Sequence, residues 1–389
     1  MKTLKIQEVA NQVRGVSYKP DDLHDSLNDS SVILLRANNI DDGKINFDDV
    51  VYVDKSKVSK EQYLKRGDIL VCASSGRKQL VGKAASVDFE TECTFGAFCK
   101  VVRPQEEFAR YLGKYFQSNT YRSKISAVAI GANINNIRNE HIDTLDLRVY
   151  DEAKNEEIVH VISCVQSIIE HRKQEIKKLD ELIKARFVEL FGDPVHNPYG
   201  WNKTELKELA DLKIGPFGSL LHKEDYIEGG HALVNPSHIV DGRIIIDSKL
   251  TVSEDKYEKL SAYHLKVGDV VMGRRGEMGR CAVVEDEGLL CGTGSLLIRP
   301  KGKVTADYIQ KIISYPTFKK NIEDMAVGQT MPNLNVPIVS GFRIITPPIE
   351  VQNSYHDFVD QVNKSKVAVQ KALDETQILF DSLMQKYFG

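Results

Sequence analysis

The sequence predicts an α+β protein built twice over: a strand-rich globular unit, a long helix, a second such unit and a second long helix. Three observations predict it. Between Glu156 and Gly192 the residues Ile158, Ile162, Val165, Ile169, Arg172, Ile176, Leu179, Ile183, Arg186 and Leu190 recur in alternating steps of four and three, the 3.5-residue average of a coiled coil. Adding 197 to each position gives Tyr355, Val359, Val362, Lys366, Val369, Leu373, Thr376, Phe380, Leu383 and Tyr387, so the seam has a partner in the same chain. The third observation is that the regions outside these helices carry short β-branched runs bounded by Gly, Asn, Asp or Pro, which mark strands and turns.

The offset runs through the whole chain, the signature of a duplication. Arg103-Pro104 is echoed by Arg299-Pro300, Gly67-Asp68-Ile69-Leu70 by Gly268-Asp269-Val270-Val271, and Asp42-Gly43-Lys44-Ile45 by Asp241-Gly242-Arg243-Ile244. Gly131-Ala-Asn-Ile-Asn-Asn-Ile137 lies 197 residues before Gly328-Gln-Thr-Met-Pro-Asn-Leu334, and the helices finish alike at Phe191-Gly192 and Phe388-Gly389, Gly being the usual residue where a helix stops in a left-handed turn. The expected boundaries are 1–150, first globular unit; 151–192, first long helix; 193–349, second unit; 350–389, second long helix.

Within the first unit the strands are expected at Val32-Ile33-Leu34-Leu35, Asp49 to Val53, Asp68-Ile69-Leu70-Val71 and Ala97 to Val102. A helix over 107–116 places Phe108, Tyr111, Leu112 and Tyr115 on one face, and a shorter one follows around Tyr121 to Ala127. The first long helix begins after Asp151-Glu152, acidic residues that suit a helix N-terminus. Phe191 to Gly200, with Pro194 and Pro198, reads as a linker. The second unit repeats the pattern through Val270-Val271-Met272, Cys281 to Val284, Ser295 to Ile298 and a helix from Ala306 to Ile313. Its loops differ, and Gly215-Pro-Phe-Gly-Ser-Leu-Leu221 finds no evident match near Asn11 to Gly15. A shared framework with divergent loops suggests one scaffold carrying two recognition surfaces.

Composition narrows the class. The 389 residues suffice for two full cores, and 42% hydrophobic with 28% charged residues is ordinary for a folded globular chain rather than a disordered one. No apolar run approaches the roughly 20 residues that span a bilayer, and MKTLKIQEVANQ lacks the apolar stretch of a signal peptide, so no membrane association and a cytoplasmic location are expected. The six cysteines form no CxxC pair and have no His at metal spacing, which reads as buried free thiols. A net charge of −3 gives no global case for nucleic acid but does not exclude it, since phosphate binding needs only a local basic surface.

Catalytic motifs do not fit. Gly76-Arg-Lys-Gln-Leu-Val-Gly82-Lys83 has five residues between its glycines and Ala84 where a phosphate loop needs Ser or Thr. Gly215-Pro-Phe-Gly218 and Gly273-Arg-Arg-Gly276-Glu-Met-Gly279 lack the acidic partner and βαβ context of a dinucleotide site. Asn197-Pro198-Tyr199 resembles part of an amino-methyltransferase motif but lacks its second proline. No Ser/His/Asp order or HExxH appears, and the ten histidines are scattered. No catalytic or metal site is therefore expected, and no cofactor on this chain.

Two pairs of loops are more informative. Arg77, Lys78 and Lys83 follow a strand of the first unit, and Arg274, Arg275 and Arg280 follow the equivalent strand of the second. Glycines beside Arg let backbone approach a ligand while guanidinium reaches phosphate or the guanine edge; a solvated charged turn is the plainer alternative. The matched loops hold Asn133, Asn135, Asn136 and Arg138 in one copy and Gln329, Thr330 and Asn333 in the other. Asn and Gln can pair bidentately with adenine, and Asn also serves simple turns. Arg172 and Arg186 in the seam either fix helix register or pack their stems with the heads in water.

At these residues a family likeness enters. Leu179-Asp-Glu-Leu-Ile-Lys-Ala-Arg-Phe-Val-Glu-Leu-Phe-Gly-Asp-Pro194 resembles the central region of the specificity subunits of type I restriction-modification systems, Gly328-Gln-Thr-Met-Pro-Asn-Leu334 their Gly-x-Thr-x-Pro-Asn loop, and Gly215-Pro-Phe-Gly-Ser219 the start of many of their target-recognition domains. The first copy of the loop departs from the pattern, with Asn133 and Asn135 in place of Thr and Pro. The resemblance implies two tandem target-recognition domains and an antiparallel coiled coil of pseudo-twofold symmetry. Each domain would read one half of a split double-stranded DNA target, and helices of about 36 residues, roughly 54 Å, would hold the readers one or more DNA turns of ~34 Å apart. It also implies a non-catalytic subunit that docks two methylation subunits bringing S-adenosylmethionine and, in the full complex, restriction subunits using ATP and magnesium. The competing readings are a self-contained DNA nuclease or methyltransferase and a coiled-coil protein adaptor.

Overall fold

The structure, a computed structural model, describes the chain except residues 42, 78, 129–134, 277, 278 and 327–332, with the backbone alone for 135, 325 and 326. Two compact units emerge: Met1–Gln174 together with Val369–Gly389, and Glu175–Ala368. The long helices are Glu152–Phe191 and Ile349–Phe388, 40 residues each and 197 apart at both ends. The first starts at Glu152, where Asp151 Oδ1 accepts the Lys154 N–H as a cap and Asn155 exchanges hydrogen bonds with the Tyr150 backbone. Both helices cross the unit boundary, so each unit holds a segment of each.

The first unit contains two four-stranded sheets. One is antiparallel, in the order Ala84–Ser86, Ile69–Cys72, Cys99–Pro104, Ala10–Arg14. The other runs Cys93–Phe95, Ser31–Leu35, Val51–Asp54, Leu23–His24, with its first pair parallel. The second unit repeats both orders: Ala210–Ile214, Ser295–Pro300, Val270–Gly273, Cys281–Val283, and then Tyr226–Ile227, Thr251–Val252, His231–Val234, Leu290–Cys291, again with one parallel pair. A further two-stranded ribbon joins Lys2–Lys5 to Asp146–Val149 and Lys203–Glu205 to Arg343–Ile345. The predicted α+β class and the duplication are thus both present in the topology. The helical flank is Ala109–Tyr115 and Asn119–Val128 in one unit; in the other Ala306–Ser314 is followed by Pro316–Ala326, which the apolar pattern did not single out.

The echoed motifs turn out to be framework. Asp68, 1% exposed, receives Nε and Nη2 of Arg103 at 2.8 and 2.7 Å, while its Oδ2 accepts the backbone N–H of Lys65. Asp269, 3% exposed, receives the same pair from Arg299 at 2.8 and 2.6 Å and the N–H of Lys266. Bidentate carboxylate–guanidinium geometry is the arrangement that lets such charges be buried. The hairpin glycines Gly43 and Gly242 have φ of 74° and 77°, a region that L side chains resist.

One expectation is overturned: Gly215 does have a match, Gly15. Each follows the corresponding strand, Ala10–Arg14 or Ala210–Ile214, and each presses on another glycine. A Cβ on Gly15 would lie 2.1 Å from the carbonyl oxygen of Gly96, and one on Gly215 1.9 Å from that of Gly292. The flanking residues diverged while the close backbone approach kept its glycines.

Each core includes parts of both helices. In the first unit Ile158, Ile162, Met384, Tyr387 and Phe388 join Tyr111, Leu112 and Tyr115, with Phe380 and Leu383 partly buried against them. In the second Ile183, Phe187, Phe191, Tyr355 and Val362 join Tyr308 and Ile309, with Leu179 and Val359 at the edge. Val165 and Ile169 are buried, whereas Ile176, Val369 and Leu373 are half-buried. Within each unit the two helix segments run antiparallel: Arg172 lies by Thr376 in the first, and Phe187 by Tyr355 in the second. Phe388 sits 5.1 Å from Tyr111, whose hydroxyl donates to the carbonyl of Arg148. Phe191 sits 5.0 Å from Tyr308, whose hydroxyl donates to the carbonyl of Ile345.

The two seam arginines part company. Arg172 Nη1 reaches the Ala372 carbonyl and the hydroxyl of Thr376, itself a buried residue, so it ties one helix to the other at a fixed level. Arg186 instead lies over the Phe358 ring, 5.6 Å from its centroid, and donates to Glu189 at 2.8 Å. Five of the six cysteines are buried and unbridged, as expected, but Cys164 is exposed on the first long helix. Burial pushes the thiols of Cys72 and Cys281 up to about 11 and those of Cys93 and Cys291 up to about 12.

Candidate nucleic-acid interface

The matched loops are fastened to the framework at equivalent points. In the first unit Asn135–Asn136 pairs with Ser74–Ser75, and the Ile137 N–H donates to the Ala73 carbonyl at 2.8 Å. In the second the Leu334 N–H donates to the Arg274 carbonyl at 3.0 Å. The two candidate loops of each unit, distant in sequence, therefore lie side by side. Buried Ile137 and Leu334 anchor them, which is why the apolar last residue of each motif recurs.

The basic residues divide by role. Arg77 and Arg275 are exposed, and Arg77 donates its backbone N–H to Ser75 Oγ. Lys83 is half-buried, 3.8 Å from Asp41. Arg138 is 75% exposed, with Glu140 3.4 Å away. Arg280 Nη1 faces the Pro236 carbonyl at 3.4 Å. Arg274 differs from all of these. It is 9% exposed, its Nε donates to the Leu334 carbonyl at 3.1 Å and its Nη2 to Asn333 Oδ1 at 3.1 Å. Burial, with Arg275 adjacent, lowers its pKa. The sequence placed Arg274 and Asn333 among candidate DNA-binding residues; the structure joins them to each other, with Arg274 bracing Asn333 and Leu334. Asn136 is exposed. Lys78, Asn133, Gln329 and Thr330 lie outside the described residues, as does the side chain of Asn135.

An open cleft adjoins these loops in the first unit. Arg14, Lys100, Asn136, Arg138 and Asn139 line it together with Glu140. Arg14 and Lys100 are register partners on neighbouring strands, so their side chains share a face. Neither was singled out from the sequence, since each is one basic residue at a strand end and only the pairing of Ala10–Arg14 with Cys99–Pro104 brings them together. Among the described residues no group of three or more His, Cys, Asp or Glu is placed to hold a metal ion, and no helix is long and apolar enough to cross a membrane.

Comparison with known proteins agrees with this architecture. The family model for the type I restriction modification DNA specificity domain matches residues 198–376. The StySPI specificity subunit of Salmonella potsdam is 24% identical over 98% of this chain and 86% of its own length, and the EcoKI specificity subunit of Escherichia coli K12 is 26% identical over 98% and 87%. Among solved structures, the type I restriction-modification S subunit from M. genitalium superposes with a TM-score of 0.58 at 14% identity, covering 100% of this chain and 96% of that one. A chain from a study of assembly and conformational transition of the type I system gives 0.63 at 16%, covering 100% and 97%. The likeness runs through both globular units and both helices: residues 198–376 match the type I restriction modification DNA specificity domain, and nearly the whole chain is similar to type I restriction enzyme specificity subunits.

Proposed function

We propose that this chain selects the DNA target of a type I restriction-modification complex, reading a bipartite site with one half-site per globular unit. The observation that carries the reading is the pair of units with one strand order and different loops. Identical sheets position the loops, and unlike loops read unlike bases. Exposed Arg77, Arg138 and Arg275 would meet phosphates and fix register on the duplex, whereas the loop amides of Asn133, Asn135, Asn136 and Gln329 and the hydroxyl of Thr330 would read base edges. Arg274 then acts from beneath, holding Asn333 and Leu334 in place.

The chain contributes recognition and leaves chemistry to its partners. Two methylation subunits supplying S-adenosylmethionine, and restriction subunits using ATP and magnesium, would assemble on it in the cytoplasm, where the DNA is. The test is sequencing of DNA selected by the chain assembled with its methylation partner. A split motif with a fixed gap is expected; a contiguous motif, or none, would reject the two-reader assignment and favour an adaptor role.

A further inference from the structure

At the described positions equivalent to Arg14, Lys100 and Arg138 the second unit carries no cation, and its buried Arg274 stands instead where the first unit has Ala73. Registering the strands pairs Arg14 with Lys100 in one unit and Ile214 with Leu296 in the other. The opposite wall changes in the same sense, from Arg138 and Asn139 to Asn335 and Val336. In the second unit Leu296 is fully buried, with Ile214 and Val336 packed against the same core. Apolar contact thus closes that corner. In the first unit the corner stays open and is lined by three cations.

Such an arrangement is costly for a chain on its own. Like charges opposite one another across a strand pair repel, and Lys100 is half-buried, so burial, with Arg14 opposite, lowers its pKa. The chain balances the corner only in part. Lys100 Nζ reaches Asn139 Oδ1, and Asp143 nearby is taken by Gln12. The Arg138 contact to Glu140 joins two mostly exposed side chains, a kind of pair that solvent weakens. An anion in the cleft would face Arg14, Lys100 and Arg138 together.

We propose that this cleft is a phosphate seat specific to the first unit, in which Arg14, Lys100 and Arg138 grip the DNA backbone beside the loops that read the bases. The proposal rests on the DNA-reading function above and adds an asymmetry to it: the first unit holds its half-site through more phosphate contacts than the second. Arg14 and Lys100 are then positioning residues that set how deeply the 135–139 segment enters the groove.

The experiment measures DNA affinity of the chain, assembled with its methylation partner, across a salt series. The variants are Arg14→Ile with Lys100→Leu, which installs the residues of the second unit, and separately Arg138→Gln and Lys100→Gln, which leave the fold intact should the first fail to fold. Each phosphate contact contributes about 0.9 to the slope of log affinity against log salt. The slope is therefore expected to fall by about 2 in the double variant and by about 1 in each single one, with the half-site preference of the second unit unchanged in selected DNA. Folded variants with the wild-type slope would overturn the phosphate seat and leave the DNA-reading function standing. A wild-type assembly with no affinity for DNA would overturn both.

Discussion

His231 in the second unit has an acceptor at each ring nitrogen: Glu254 Oε2 at 2.8 Å from Nε2 and the Gly288 carbonyl at 3.0 Å from Nδ1. These acceptors favour the protonated ring, which stacks on Tyr257 at 3.8 Å while His264 stacks at 3.7 Å on the same tyrosine. Its pKa is raised, first by the hydrogen bond to Glu254. A group whose folded pKa exceeds the unfolded value of about 6.5 stabilises fully below that value, and the stabilisation is lost as pH rises through the folded pKa. Urea midpoints of the second unit should thus decline as pH rises above about 6.5 and through the raised folded pKa, and His231→Gln should flatten the decline. Equal pH slopes in the two proteins would reject this account. Nothing in the sequence pointed to the triple stack, because its members lie on a strand, a short helix and an isolated bridge. The inward turn of Arg274 was hidden for a different reason. A Gly-Arg-Arg-Gly run has the composition of a solvent loop, and only the hydrogen bonds to Asn333 and Leu334 turn the first arginine inward.

At the scale of elements, periodicity was legible and destination was not. The 3.5-residue seam located both long helices to within a few residues, since burial along a helix imposes a repeat that any apolar side chain can satisfy. Which globular core each helix end would enter left no trace in the pattern. Phe191 and Phe388 fall outside the seam, yet they are the residues that fill the cores, beside Tyr308 and Tyr111 respectively. The first unit is consequently closed by a residue 277 positions beyond Tyr111, while the second is closed by one that precedes it in the chain. Truncating a buried Phe costs about 3–5 kcal/mol. Phe388→Ala should therefore lower the stability of the first unit by that order and spare the second, and Phe191→Ala should do the reverse. Hydrogen exchange resolved along the chain would read both. Loss of protection in the same unit for both variants would contradict the cores described.

For the whole molecule, the proposed reading of a split site predicts that the gap between half-sites depends on helix length rather than on either reader. The two helices share one seam and one length of 40 residues, so a change made in only one would put apolar residues out of step with their partners. Seven residues restore the 3.5-residue repeat and add about 10.5 Å, close to three base-pair rises at ~3.4 Å each. Inserting one heptad after Gln174 and another after Ala368, at the boundaries of the compact units, should leave both half-site sequences intact. The preferred gap should lengthen by about three base pairs. Four-residue insertions at the same places are the control, because they rotate the seam and should cost stability instead of shifting the gap. The quantity to measure is the gap in DNA selected by each assembly. A gap that stays constant in a folded heptad variant would mean that partner subunits, and not these helices, set the spacing.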